Sequence, residues 1–413
     1  MHSYLFLTDM YYPKPNANGL CVEAVGKELS KMGNEVHIVC YKYKGEQTNE
    51  LVDGIYVHRV RPNFFYILKR FYENNYDNRF GKSVWKAARL LKHIEQGIHI
   101  LHYPIESFLS ISRYGKFCKS IINHYKIDTC FALYKPLTSA ASIYYWDAEE
   151  SINKRVLYIV DSFCDGRDKD QAFLNSRNWK WEKSLYSKYD IIINMECHKK
   201  QLSDKRYLKY SSKMVFSDIP VFRQITYNRD LKQNIISRTT INVVYCGIVY
   251  NPRLFELFLF HTNNVKIDQK NIVLHVCSRS PSISLLELEK KNQRLIIHYN
   301  ITDEERDYIL NEASAIFSEC PSGSTMIPSK LFISMGTGNK IIHYTDKEDD
   351  ACISYLMKYP NVLIISPLKD ENIENKILSF LENDNRIPYK QIRDAFLRNT
   401  PDYCARQLTE YTS

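Results

Sequence analysis

The sequence predicts an α/β protein built from two doubly wound Rossmann-like domains. Three observations predict it. Strand-length apolar runs alternate with helical stretches along almost all of the 413 residues, the pattern of parallel sheets covered by helices. A hydrophobic content of 44% at this length is enough for two cores. The alternation breaks once, near Asp218–Asp230, where Pro220 and the polar run "TYNRDLKQN" mark a linker.

In the first half, strands are expected at Tyr4–Thr8, Val36–Tyr41, Ile55–Arg61, Thr129–Tyr134, Val156–Asp161, Ile191–Met195 and Met214–Phe216. The second series runs Ile241–Cys246, Ile272–Cys277, Leu295–Tyr299, Ala315–Ser318, Lys340–Tyr344 and Val362–Ser366, with helices such as "TDEERDYILNEA" and "PSKLFISMG" between them. The expected division is 1–218, 219–390 and a terminal helix in 391–413. No internal repeat or low-complexity tract is present.

The first β-α-β unit is the most informative. After the strand "SYLFLT", the turn "KPNANG" supplies residues that tolerate sharp reversals, and Asn18-Gly19 allows positive φ without a steric penalty. The following helix places Cys21, Val25, Leu29 and Met32 on one face and ends at Gly33-Asn34. Its loop falls at the carboxyl edge of the sheet, where doubly wound folds bind ligands, although no G-x-G-x-x-G is present. A plain chain reversal is the alternative reading of this loop.

Composition removes other classes. No apolar run approaches the roughly 20 residues of a membrane span, and the amino terminus lacks the pattern of a signal peptide, so a cytoplasmic location is expected. The 11 cysteines are odd in number, scattered and free of C-x-x-C pairs, so reduced core thiols and no structural metal are expected. The net charge of +9 is local: Arg59–Lys126 holds 13 Lys/Arg against 4 Asp/Glu, and the rest is nearly balanced. Within that segment Phe64, Phe65, Ile67, Leu68 and Phe71, then Val84, Ala87, Ala88 and Leu91, recur at helical spacing. A basic amphipathic insert at about 62–120 follows. It reads either as a face for an anionic membrane surface or as a plain solvated face, and the charge balance elsewhere argues against nucleic acid.

"TDMYYPKPNANGLCVEAVGKELSKMGNEVHIV" resembles the amino-terminal signature of family 4 glycosyltransferases of the GT-B fold. Later segments are similar in the same order: "VLYIVDS", "WEKSLYSKYDIIINM", "VVYCGIVYNPRLFELFL", "IPSKLFISMGTGNKIIHY" and the final "NTPDYCARQLTEY". The resemblance implies two doubly wound domains facing a central cleft, with the last helix packing back on the first. It implies a metal-independent, retaining transfer of a sugar from a nucleotide-sugar to a glycan or lipid-linked acceptor in cell-surface polysaccharide synthesis. No cofactor beyond that donor substrate is expected. Peripheral contact with the inner membrane face is a further expectation.

Donor-site candidates follow from the resemblance and from charge. The loop "SECPSGSTMIPSKLF" feeds a helix expected to start at Pro328, where backbone amides, Ser329 and the Lys330 ammonium suit a diphosphate; an ordinary capped helix with a surface lysine is the alternative. Gly247 begins the family's Gly-Arg-Leu-x-x-x-Lys pattern. Ile248 replaces its arginine and Arg253 stands at its lysine position, so one charge is kept and one is lost. Arg279 either restores that charge or is a solvated loop residue. The family's Glu-x7-Glu positions are Thr325 and Ile333, so both carboxylates are missing: either another residue, with Glu319 the candidate, makes the ribose contact, or donor binding is weak or altered.

In the first domain, Gly19 is expected to lie in the loop closing over the donor. Asp161 ends a buried strand and either faces the sugar, as the catalytic candidate, or caps the next turn. Glu182 reads as structural, and Lys135–Ser142, "KPLTSAAS", as acceptor wall. "DKD" at Asp168–Asp170 imitates a metal-binding D-x-D but reads as a solvated turn, and His99 and His102 lack a third ligand. The competing functional expectation is a degenerate GT-B protein that binds a glycan or a partner enzyme without turnover.

Overall fold

The computed structural model describes residues 1–13, 15–74, 79–98, 107–146, 152–161, 172–226, 235–278, 281–299, 301–320, 327–348, 350–383 and 386–413. The chain divides into two units, Met1–Val221 with Arg398–Ser413, and Phe222–Leu397.

The first unit is built on an eight-stranded sheet of β1 (Ser3–Leu7), β2 (Glu35–Tyr41), β3 (Asn49–Val52), β4 (Ile55–Val60), β5 (Thr129–Leu133), β6 (Lys154–Ile159), β7 (Ile191–Met195) and β8 (Met214–Ser217). The strand order is β3-β4-β2-β1-β5-β6-β7-β8, and every pair is parallel except β3 with β4. β1 and β5 are buried along their whole length, as strands covered on both faces must be. The edge hairpin β3–β4 was not foreseen. β3 is short, with alternating exposed residues, so it carries no apolar run to find.

Helix Ala17–Lys31 covers the sheet through Cys21, Val22, Val25 and Leu29. The carboxyl-terminal helix Pro401–Thr412 packs against it, with Cys404, Ala405 and Leu408 buried, and Gln407 meets Ser217 of β8. Glu182, on helix Ala172–Lys188, is buried among tyrosines and accepts from Tyr134 Oη at 2.8 Å, Tyr186 Oη at 3.3 Å and Tyr207 Oη at 3.4 Å. Such a carboxylate is held by polar partners, which is the condition for its burial. In the basic segment, helices Phe64–Asn74 and Arg79–Ile98 lean on each other through Phe65 and Tyr72, whose rings meet Trp85 at 5.9 and 5.0 Å.

The second unit holds β9 (Ile241–Cys246), β10 (Lys266–Ile267), β11 (Lys270–Cys277), β12 (Leu295–His298), β13 (Ala315–Glu319), β14 (Ile341–Tyr344) and β15 (Val362–Ile365). The order is β10-β11-β9-β13-β14-β15 with β12 also on β11, parallel throughout except for the two-residue β10. Its core is aromatic: Phe255, Phe258, Phe317 and Tyr344 form one cluster of ring contacts. β10 escaped the sequence reading because two residues carry no periodicity.

Candidate functional site

In the second unit the chemistry gathers at the carboxyl ends of β9 and β13. β9 ends at Cys246 and the chain turns through Gly247, whose φ of +124° only glycine adopts without strain. A Cβ there would stand 3.2 Å from Lys330 Cδ, so the glycine also makes room for the lysine. The loop then feeds helix Pro252–His261, capped by Asn251, whose side chain accepts from Arg253 N at 3.2 Å.

Glu319, the last residue of β13, fixes this loop. It is 1% exposed, and its oxygens accept from the Tyr250 and Asn251 amides at 2.7 and 2.9 Å and from Tyr245 Oη at 2.7 Å. The sequence-based role for Glu319, a ribose acceptor, therefore gives way to a different one: its oxygens clamp the loop. Nothing in the sequence signalled that Glu319 and Tyr250 would meet, because they are far apart in the chain.

Lys330 completes the arrangement. Pro328 is the N-cap of helix Ser329–Met335, so the helix starts at Ser329, one residue later than expected, and Lys330 is its second residue. The half-buried ammonium donates to Tyr245 Oη and to the Ile248 carbonyl at 3.1 Å, and lies 4.1 and 4.4 Å from the ring centroids of Tyr245 and Tyr250. Burial pushes its pKa down to about 8, against the opposing pull of Glu319. The result is a Lys330–Tyr245–Glu319 chain of hydrogen bonds under a loop whose Ile248 and Val249 amides donate to no described residue.

Arg253 sits in the first turn of its helix, exposed, and its guanidinium makes no hydrogen bond or ion pair with a described residue. Gly247, Arg253, Glu319, Ser329 and Lys330 are thus all brought to one edge. Arg279 and Thr325 lie outside the described residues, as do Asp168–Asp170, His99 and His102. Ile333, at the second position of the missing carboxylate pair, is half-buried on the lysine's helix.

The first unit has its own polar edge. Asn16 caps helix Ala17–Lys31, accepting from Gly19 N at 2.8 Å, and its amide donates to Asp9 Oδ1 at 2.8 Å. Gly19 is helical, not at positive φ as the Asn18-Gly19 pair had suggested. It is needed because a Cβ would fall 2.1 Å from the Met10 carbonyl oxygen. Asn18 reaches the Lys135 carbonyl at 3.1 Å while its own side-chain oxygen is buried without a partner. In "KPLTSAAS" the hydroxyls of Ser139 and Ser142 are spent on the Pro136 and Ser139 carbonyls at 2.8 and 2.6 Å. Asp161 lies just past β6, half-buried, with no side-chain hydrogen bond to a described residue.

His198 was missed by the sequence reading. It follows β7 at the same edge, is 2% exposed, and neither ring nitrogen has a hydrogen-bond partner among the described residues. Burial, with the Lys135 charge adding to it, pushes its pKa down to about 4, so the ring is neutral at pH 7. Thr8 Oγ1, Tyr158 Oη and Asn194 Nδ2 are likewise buried and unpaired. Native interiors leave few such groups, so each of these atoms has capacity for a further hydrogen bond. The signal available in sequence was position: each sits in the last part of a strand or just beyond it.

No family model matches the sequence, and no curated protein sequence matches it. Solved structures do. The catalytic domain of starch synthase IV from Arabidopsis thaliana, bound to ADP and acarbose, superposes with a TM-score of 0.59 at 11% identity, covering 100% of this chain and 98% of the other. Sucrose-phosphate synthase from Thermosynechococcus elongatus gives 0.64 at 12% identity over 99% and 98%. A UDP-forming α,α-trehalose-phosphate synthase from Burkholderia xenovorans, in complex with glucose-6-phosphate, gives 0.64 at 8% identity over 100% of both chains. At such identities the likeness is one of fold. Two units, each built on a mainly parallel sheet, and coverage of nearly the whole chain by these enzymes give this chain the GT-B fold of two Rossmann-like domains.

Proposed function

We propose that the chain is a glycosyltransferase that moves a sugar from a nucleotide-sugar donor to a glycan or lipid-linked acceptor. The observation that carries this reading is the second-unit edge, where one loop and the helix after it present the Ile248 and Val249 amides, which donate to no described residue, and the Arg253 side chain, with the Lys330 ammonium on the Ile248 carbonyl. A nucleoside diphosphate needs such a set. Its negative charge grows as the bond from the anomeric carbon to the diphosphate oxygen breaks, and pre-placed donors stabilise that charge without reorganising. The acceptor hydroxyl forms the new bond, and its proton passes to the departing diphosphate, so transfer with retention requires neither a strong side-chain base nor a metal in that step. Asp161 and the unpaired edge around His198 are assigned to the sugar and acceptor. The starch, sucrose-phosphate and trehalose-phosphate synthases named above support the reading through their shared fold.

The basic insert supports a lipid-linked acceptor in cell-surface polysaccharide synthesis. Phe64, Ile67 and Phe71 face outward on one helix, and Phe80, Leu90, Leu91 and Ile94 do so on the next, with Phe64 62% and Phe80 67% exposed. Lys86 and Arg89 lie exposed beside them. No described helix is long and apolar enough to cross a membrane. A basic surface with an apolar stripe suits the headgroup region of an anionic bilayer.

The test is calorimetry with UDP, GDP, ADP and their sugars. Binding of at least one, followed by transfer to an added acceptor, is the expected result; no binding of any would remove the proposal. The half-buried Ile333, which cannot accept a hydrogen bond from ribose, favours a second reading, a non-catalytic binder of a glycan or partner enzyme. Donor hydrolysis or transfer separates the two.

A further inference from the structure

A second cluster lies at the carboxyl edge of the second unit, and sugar transfer leaves it unused. Cys320 directly follows Glu319 at the end of β13, and Asp350 and Cys352 lie in the turn after β14. All three are buried, and one donor atom of each lies within 4.8 Å of the other two. The carboxylate is held in place from outside the cluster. His343, fully buried on β14, shares a hydrogen bond through Nε2 with Asp350 Oδ2 at 2.9 Å and another through Nδ1 with Ser318 Oγ at 3.1 Å. The Cys352 amide donates to Asp350 Oδ1 at 2.8 Å.

We propose that Cys320, Asp350 and Cys352 bind one thiophilic divalent cation of the zinc class, tying the end of β13 to the turn after β14. Two sulfurs and a carboxylate oxygen are the donor set that such an ion takes, and a histidine oriented on a ligating carboxylate is the usual supporting layer. Tetrahedral zinc places its sulfur ligands about 3.8 Å apart, so atoms already within 4.8 Å of one another close on the ion by side-chain rotation. Binding releases two thiol protons.

A core-filling thiol pair does not account for the third group. Cys246 and Cys277 are such a pair, facing each other in register at the ends of β9 and β11, and no carboxylate or imidazole joins them among the described residues. Asp350 caps the Cys352 amide and holds His343, and neither role calls for two buried sulfurs within reach of its carboxylate. The expectation of no structural metal rested on the lack of a C-x-x-C pair, and Cys320 and Cys352 are too distant in sequence for spacing to show them. The site stands apart from the transfer step and holds whether or not the donor reading does.

Cobalt(II) titration of the reduced, folded chain tests it. The expected result is one equivalent of cobalt with sulfur-to-cobalt charge-transfer absorption, displaced by zinc, lost in Cys352→Ser and weakened at least tenfold in Asp350→Asn. The same absorption should persist in Cys197→Ser, with circular dichroism confirming that each variant is folded. Absence of the charge-transfer band in the folded parent chain would overturn the proposal. So would its persistence in Cys352→Ser, or peptide mapping that finds a Cys320–Cys352 disulfide formed in place of metal uptake.

Discussion

Lys330 carries the most consequence of any single side chain. If Lys330 holds the diphosphate as proposed, replacing it with alanine removes charge-assisted hydrogen bonds worth about 1.5–3 kcal/mol each, so nucleotide affinity should fall roughly ten- to a hundredfold in calorimetry. Its lowered pKa adds a pH signature. Below about 8 the side chain is charged and attracts the anion; as pH rises through about 8 that attraction is lost, and affinity should decline there rather than near the ordinary lysine value of 10.5. A flat affinity between pH 7 and 9 would show that the ammonium does not hold the ligand. Glu319→Gln keeps the shape but swaps one acceptor oxygen for a donor facing the loop amides, so it should weaken nucleotide binding through the loop while Lys330 stays in place. Of these residues, Lys330, Gly247 and Arg253 were legible in the sequence because they sit in linear motifs. The clamp by Glu319 and the unpaired His198 were not, since a hydrogen-bond partner supplied by another strand leaves no trace in spacing.

Elements explain which parts of the fold could be foreseen. Buried parallel strands are continuous apolar runs, so nearly all were visible, whereas the edge pieces β3 and β10 depend on pairing alone. The helix Ala17–Lys31 shows the same limit at finer grain. Its glycine was visible, but the reason for it, the Met10 carbonyl, required coordinates. Gly19→Ala should destabilise the first unit by about 1–3 kcal/mol, the range for forced overpacking, read as a lowered urea midpoint. Paired histidines in the two sheets give an acid limit. His58 beside His37 and His275 beside His298 are pushed down to about 4 by burial, from the ordinary 6.5. The unfolded chain therefore binds more protons between those values, and stability present above pH 6.5 should drain away as pH falls toward 4. A melting temperature constant from pH 7 to 4.5 would contradict this.

For the whole molecule, the proposed role of the two apolar stripes of the basic insert predicts binding to an anionic bilayer. Flotation with vesicles containing anionic lipid should carry the chain upward, and neutral vesicles should carry less, since each basic residue near the surface contributes roughly 1 kcal/mol. Equal partition between the two would leave the stripes without that role. Phe64→Ser with Phe80→Ser should lower flotation without altering calorimetric nucleotide binding, because neither ring belongs to the second unit. Those same rings have a practical corollary. Away from lipid, a purified sample should be sticky, associating through its oily ridges until a mild detergent covers them, and at a bilayer the same ridges would reduce the hunt for a lipid-borne acceptor from a search through a volume to one along a plane.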